Sequence, residues 1–203
     1  MESSPAPGKT VSGDLNNCLF ASGAALVLHG KGDLVDSDLA QLYSLSERQR
    51  AAIATVVVSD TAITGECFRY LAALPNLKAL YANKTGVDDQ APFECLPKTL
   101  EIVNLDHTDV GDAGISKLTM APNLYSIRLR NTKISHRGVC MLASMASLRD
   151  CDIDGAAVCE HTRQRLLNVI ALRKLTCYVA FGFLLCCIQL AARKLLQYQK
   201  IRG

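Results

Sequence analysis

Tryptophan is absent from this chain of 203 residues, and all aromatic residues together make up 5% of it. Those aromatics do not interleave with basic residues, which excludes the stacking platform of a single-stranded nucleic-acid binder. A formal charge of +3 is also too small to argue for a nucleic-acid partner, so none is expected. Catalytic signatures are missing too. No GxSxG, HExxH or paired-carboxylate motif with supporting context occurs. "APGKT", residues 6–10, resembles the end of a phosphate loop, but the motif's first glycine falls on Ser3 and no strand precedes it. His136 and Cys140, and Cys159 and His161, lack further ligands at zinc spacing. Nothing assembles a nucleophile, base or metal. The expectation is a protein that is not an enzyme, with no cofactor.

The nine cysteines include no pair at CxxC spacing, and their number is odd. Scattered in this way they read as small buried hydrophobes in a reducing compartment, without a disulfide framework. "MESSPAPGKTVSGDLNN" has no basic region followed by an apolar run, so no secretory signal is expected. It lacks arginine and carries Glu2 and Asp14, which argues against an ordinary mitochondrial presequence.

A period fills the middle of the chain. Leu124, Ile127, Leu129, Thr132 and Ile134 define a template that also fits Ile53, Val56, Val58, Thr61 and Ile63. It fits Leu77, Leu80, Ala82, Thr85 and Val87; then Leu100, Val103, Leu105, Thr108 and Val110; and finally Leu148, Cys151, Ile153, Ala156 and Val158. The starts at 53, 77, 100, 124 and 148 are separated by 24, 23, 24 and 24 residues. Alternation within each unit predicts a strand, and the segments between carry helical spacing, as in Phe68, Leu71 and Leu74. Glycines 65, 111, 114 and 138 are read as the tight turns out of the strands. One apolar face per unit cannot be buried alone, so the units must stack.

The pattern resembles the leucine-rich repeats, in the variant LxxLxLxxTxIxDxGLxxLxxL. "VNLDHTDVGDAGISKL" and "IRLRNTKISHRGVCML" match it best. The resemblance covers residues 52–159 and implies an α/β leucine-rich-repeat solenoid of five coils with a parallel β-sheet on the concave side. "DDQAPFECLPKTL" interrupts the second unit with two prolines, so a loop is expected there in place of a helix. Thr61, Thr85, Thr108 and Thr132 are expected at the strand exits, bonding backbone groups of the neighbouring coil.

Spacer residues of the strands would line the concave face. The first column reads Val57, Tyr81, Asn104, Arg128 and Asp152, and the second Ser59, Asn83, Asp106, Arg130 and Asp154. Arg130 would lie between Asp106 and Asp154, and Arg128 beside Asp152. Two readings stand: a self-neutralising, solvated ladder whose exposed pairs are each of little worth, or a protein-docking surface formed by Tyr81, Asn83, Asn104, Asp106, Arg128, Arg130 and Asp152, since such folds commonly bind through this face.

Outside the repeats, residues 1–14 read as a flexible arm and 15–51 as an N-terminal cap, with Asp36, Ser37 and Asp38 as candidate helix N-caps. Residues 160–174 read as a helix leaving the last coil. Leu175 to Ala192 is an 18-residue run without a charge, between Arg173 and Lys174 on one side and Arg193 and Lys194 on the other. As a helix it is about 27 Å long, close to a hydrocarbon core of about 30 Å. A transmembrane helix over 175–192 is therefore expected, with a basic tail at 193–203, as a C-terminal anchor of the kind associated with the mitochondrial outer membrane. The chain is expected to be a membrane-tethered scaffold that contacts protein partners and the lipid bilayer. The alternative is an accessory or assembly subunit of a large mitochondrial membrane complex, such as a respiratory-chain complex or ATP synthase.

Overall fold

The structure is a computed structural model that describes residues 25–28 and 34–173. Among the described residues, six short strands form one parallel sheet in sequential order: β1 (Ala25–Val27), β2 (Thr55–Val57), β3 (Ala79–Tyr81), β4 (Ile102–Asn104), β5 (Ser126–Arg128) and β6 (Asp150–Asp152). Their register is one residue for one residue. Leu26, Val56, Leu80, Val103, Ile127 and Cys151 are successive partners, and all six are buried. Period-two alternation makes this possible: the central residue of each strand points into the core while its flanks face away. The sheet has one strand more than the five template units, because β1 lies inside the segment read as a cap.

The backbone ladder continues beyond the strands. Val58, Ala82, Leu105 and Leu129 each donate to the carbonyl of the next coil's spacer, at 2.7–2.9 Å. One residue per coil then turns left-handed: Asp60, Lys84, His107, Asn131 and Gly155 have φ between 51° and 73°. These five turn the chain away from the sheet. Glycines 65, 111, 114 and 138 do not; none of them has positive φ among the described residues. Their value is close approach. A Cβ at Gly65 would overlap the Ala91 backbone of the next coil, and one at Gly114 would come within 2.9 Å of Asp89 Oδ1.

The threonines behave differently from the expectation. Thr61, Thr85, Thr108 and Thr132 donate to the carbonyls of Val58, Ala82, Leu105 and Leu129, three residues back in their own coil, at 2.6–2.8 Å. The left-handed residue between hydroxyl and carbonyl folds the chain back on itself, so the nearest acceptor is local. Contacts between coils fall to other side chains at the strand entries, where Asn76 donates to Ala51 O and Asn123 to Lys98 O.

On the convex side lie α1 (Glu47–Ala52), α2 (Phe68–Leu71), α3 (Asp112–Leu118), α4 (His136–Ser144) and a helix, α5, described over 160–173. Between β3 and β4 there is a single 3-10 turn, Phe93–Cys95, where Pro92 and Pro97 stand. Phe93 packs edge-on against Phe68 of the preceding coil.

Carboxylates from one coil cap the convex turn of the next. Asp89 Oδ1 accepts from the N–H groups of Gly111 and Gly114, at 2.7 and 2.8 Å. Asp112 accepts from the Ser135 N–H at 2.8 Å, the Ser135 hydroxyl at 2.5 Å and the Gly138 N–H at 3.0 Å. Asp36 takes the N–H and hydroxyl of Thr64, at 2.9 and 2.6 Å. It is therefore a bridge between coils and not an N-cap. The cap of its own 3-10 segment, Asp36–Ser44, is formed by Asp38 accepting from the Val35 N–H. Orphan N–H groups at a helix start need such acceptors.

The helix at 160–173 does not leave the last coil. Thr162, Leu166 and Ile170 recur every four residues and are buried against the stack. Arg173 donates to the carbonyls of Ala143 and Met145 at the end of α4, each at 2.6 Å, where a cation is favoured at a helix C-terminus. Among the described residues no helix is long and apolar enough to cross a membrane. The expected transmembrane segment 175–192, the tail 193–203 and the arm 1–14 lie outside the described residues.

Candidate concave-face interface

The concave face is built by residues that flank the buried centre of each strand. Its first column is Val27, Val57, Tyr81, Asn104, Arg128 and Asp152, joined in that order by the sheet register. The second column keeps the same register through the extended ladder, in which Asp60, Lys84, His107 and Asn131 donate to the carbonyls of Asn83, Asp106, Arg130 and Asp154. Along the first column the chemistry grades from apolar to charged. Val27 is 40% exposed at one end, and the arginines and aspartates gather at the other.

Several of the sequence-predicted residues hold the scaffold together. Asn83 Oδ1 accepts from the Ser59 hydroxyl at 2.6 Å, which fixes two rungs side by side. Asn104 Oδ1 accepts from the Asp106 N–H at 2.9 Å, and Asp152 Oδ1 from the Asp154 N–H at 3.2 Å, the same local turn two coils apart. Asp106 Oδ1 takes the Arg130 N–H at 2.7 Å. These polar atoms are already committed.

The arginines do not pair as the columns alone suggest. Arg130 Nε donates diagonally to Asp152 Oδ2 at 2.5 Å, and not to Asp154. Asp154 is bound by Arg163 of the last helix at 2.8 Å, which leaves Asp152 as the open carboxylate within reach of Arg130. Asp152 favours the charged guanidinium of Arg130 first by this hydrogen bond and then by its charge; Arg130 is exposed and Asp152 half-buried. Arg128 loses its expected partner as a result. Among the described residues, the side chains of Tyr81 and Arg128 make no hydrogen bond or ion pair, and Arg128 is exposed.

Beside Arg128 a shallow depression is lined by Asp150, Asp152, Asp154, Arg163 and Leu167. Arg163 and Leu167 come from the helix at 160–173 and carry no periodic signal, so the template did not include them. Among the described residues no group of three or more His, Cys, Asp or Glu side chains could hold a metal ion.

No family model matches the chain, and no curated protein does. Among solved structures, leiomodin-1 actin-binding site 2 is similar over 70% of this chain and 90% of that one, with a TM-score of 0.54 and 16% identity. An internalin (inlF) from Listeria monocytogenes str. 4b F2365 aligns with a TM-score of 0.49 and 18% identity, over 60% of this chain. This chain covers only 34% of the internalin's length. At 16% identity the likeness to the leiomodin structure shows the fold alone. The chain is an α/β repeat solenoid with a leucine-rich-repeat-like architecture.

Proposed function

We propose that this solenoid is a non-enzymatic protein-docking module that engages its partner through the concave sheet face, with Tyr81 and Arg128 as its anchors. One observation carries the reading. On a face where Asn83, Asn104, Asp106, Arg130 and Asp152 all make hydrogen bonds within the chain, the side chains of Tyr81 and Arg128 make none among the described residues. A half-buried aromatic and an exposed guanidinium without an ion pair, two rungs apart on one sheet, are of the residue types that contribute most at protein interfaces. Parallel neighbouring strands are about 4.8 Å apart, so the two anchors sit roughly 10 Å from each other and fit one small contact patch.

The second part of the proposal is a tether. The uncharged run 175–192 between basic pairs supports attachment of the module to a membrane, with the docking face held near a bilayer. The mitochondrial outer membrane is the membrane that such an anchor suggests.

Pull-down with the wild-type protein beside Tyr81→Ala and Arg128→Asp tests the docking face. Each variant is expected to lose its partner by about ten-fold or more in apparent affinity while keeping its circular dichroism. Retention of every partner by both variants would remove the concave face from the account.

A further inference from the structure

The two rims of the solenoid are opposite in charge. On the rim where the chain enters the strands lie residues 46–54, 72–78, 96–101, 119–125, 144–149 and 171–173, which carry six lysines and arginines against two acids. On the rim where the chain leaves them, 59–66, 83–90, 106–112, 130–137 and 154–161 carry nine acids against four lysines and arginines. Stacking accounts for part of the acidic rim, since Asp89 and Asp112 cap the next coil. It does not account for the basic one. Lys98 is exposed, and among the described residues its ammonium group makes no hydrogen bond or ion pair.

The entry rim is also where apolar side chains stand open. Met120 is 79% exposed and Leu172 62%, and Tyr125 is exposed beside them in sequence. Among the described residues the exit-rim segments expose no large apolar side chain. Single exposed apolar residues need no explanation, but here three of them share the rim that is basic.

The last helix fixes where the chain goes next. α5 runs beside α4 in the same direction: Thr162 meets His136 at the start of α4, and Arg173 donates to Ala143 O and Met145 O at its end. Arg173, the last described residue, therefore stands on the entry rim. The uncharged run begins at Leu175, two residues on. Two residues reach about 7 Å at most. If that run enters a bilayer, so short a link holds the entry rim at the bilayer surface.

We propose that the strand-entry rim is a membrane-contact surface that rests on a bilayer bearing anionic headgroups; the proposal depends on the tether proposed above. Met120, Tyr125 and Leu172 enter the headgroup region, and Lys78, Lys98 and Arg149 around them meet the lipid phosphates and carboxylates. Tyrosine and the long stems of lysine and arginine suit that boundary because each joins an apolar body to a polar end. The acidic exit rim points away from a surface that would repel it. The strands then rise from the membrane, and the concave face opens sideways along it, toward partners held at the same bilayer.

The absence of tryptophan supplies the test. Full-length Met120→Trp, and Gln90→Trp on the exposed exit rim, are each reconstituted into vesicles of phosphatidylserine and of phosphatidylcholine brominated near the headgroup end of its chains. The tryptophan at position 120 is expected to lose most of its emission to the bromines, and the one at position 90 to keep it. Adding Lys98→Glu to Met120→Trp is expected to restore part of the emission while the protein stays with the vesicles in carbonate. Release of the protein by carbonate would remove the tether, and the rim contact with it. Anchored protein with no quenching at position 120, with equal quenching at both positions, or with quenching that Lys98→Glu leaves unchanged would overturn the rim contact and leave the tether standing.

Discussion

Replacement of Ile127 by alanine is expected to destabilise the stack by about 2–5 kcal/mol. Ile127 is the central residue of β5, fully buried, with Val103 and Cys151 as its sheet partners. Its loss removes apolar burial and leaves a cavity whose walls are held by two rungs and cannot easily close. Since each coil touches mainly its neighbours, the damage should be polar: the last two coils loosen first and the earlier ones persist. Urea unfolding with hydrogen exchange reads both features. The contrasting change, Tyr125→Ala at an exposed position, should cost well under about 1 kcal/mol. Equal effects of the two substitutions would mean that Ile127 does not face the core.

Asp112→Ala is expected to cost about 1–3 kcal/mol, because one carboxylate satisfies three donors at the start of α4. Burial pushes this carboxyl up, but the Ser135 hydroxyl and N–H and the Gly138 N–H outweigh it and hold it below the usual carboxylate range. A depressed folded-state pKa contributes stability that is complete above the unfolded value of about 3.9. That contribution is lost as the pH falls through the folded value. The difference between wild type and Asp112→Ala, measured by urea titration, should therefore be full at neutral pH and shrink in acid. A difference that stays constant into acid would show that Asp112 is not bound as a carboxylate.

The spacing of the apolar residues made the stack legible, because a buried centre repeats whether or not its neighbours are known. Val56, Leu80, Val103, Ile127 and Cys151 fall in register as the 23- and 24-residue intervals imply. β1 escaped the template for a physical reason. Ala25 pairs with Thr55, an interval of 30 residues that holds a 3-10 segment and α1, so the coil is longer and its pattern is diluted. The carboxylate ladder was hidden because Asp36, Asp89 and Asp112 stand at different offsets from the groups they bind.

The concave face was legible as columns and not as pairs. Strand alternation places Arg128 and Arg130 on one face, but which aspartate each meets depends on Arg163, a residue of the helix beyond the repeats. Once Arg163 takes Asp154, Arg130 turns to Asp152 and Arg128 is left exposed. A consequence that no spacing rule carries is thus the one on which the docking proposal rests.

Site-specific photo-crosslinking of the full-length protein in cells tests that proposal most directly, with the reactive residue at Val57 on the concave column or at Ser116 on the exposed side of α3. Val57 adjoins Tyr81 in the register, and its replacement leaves both proposed anchors in place. The account predicts a discrete partner adduct from position 57, none from position 116, and loss of that adduct in Arg128→Asp. An adduct from position 116 alone would contradict it.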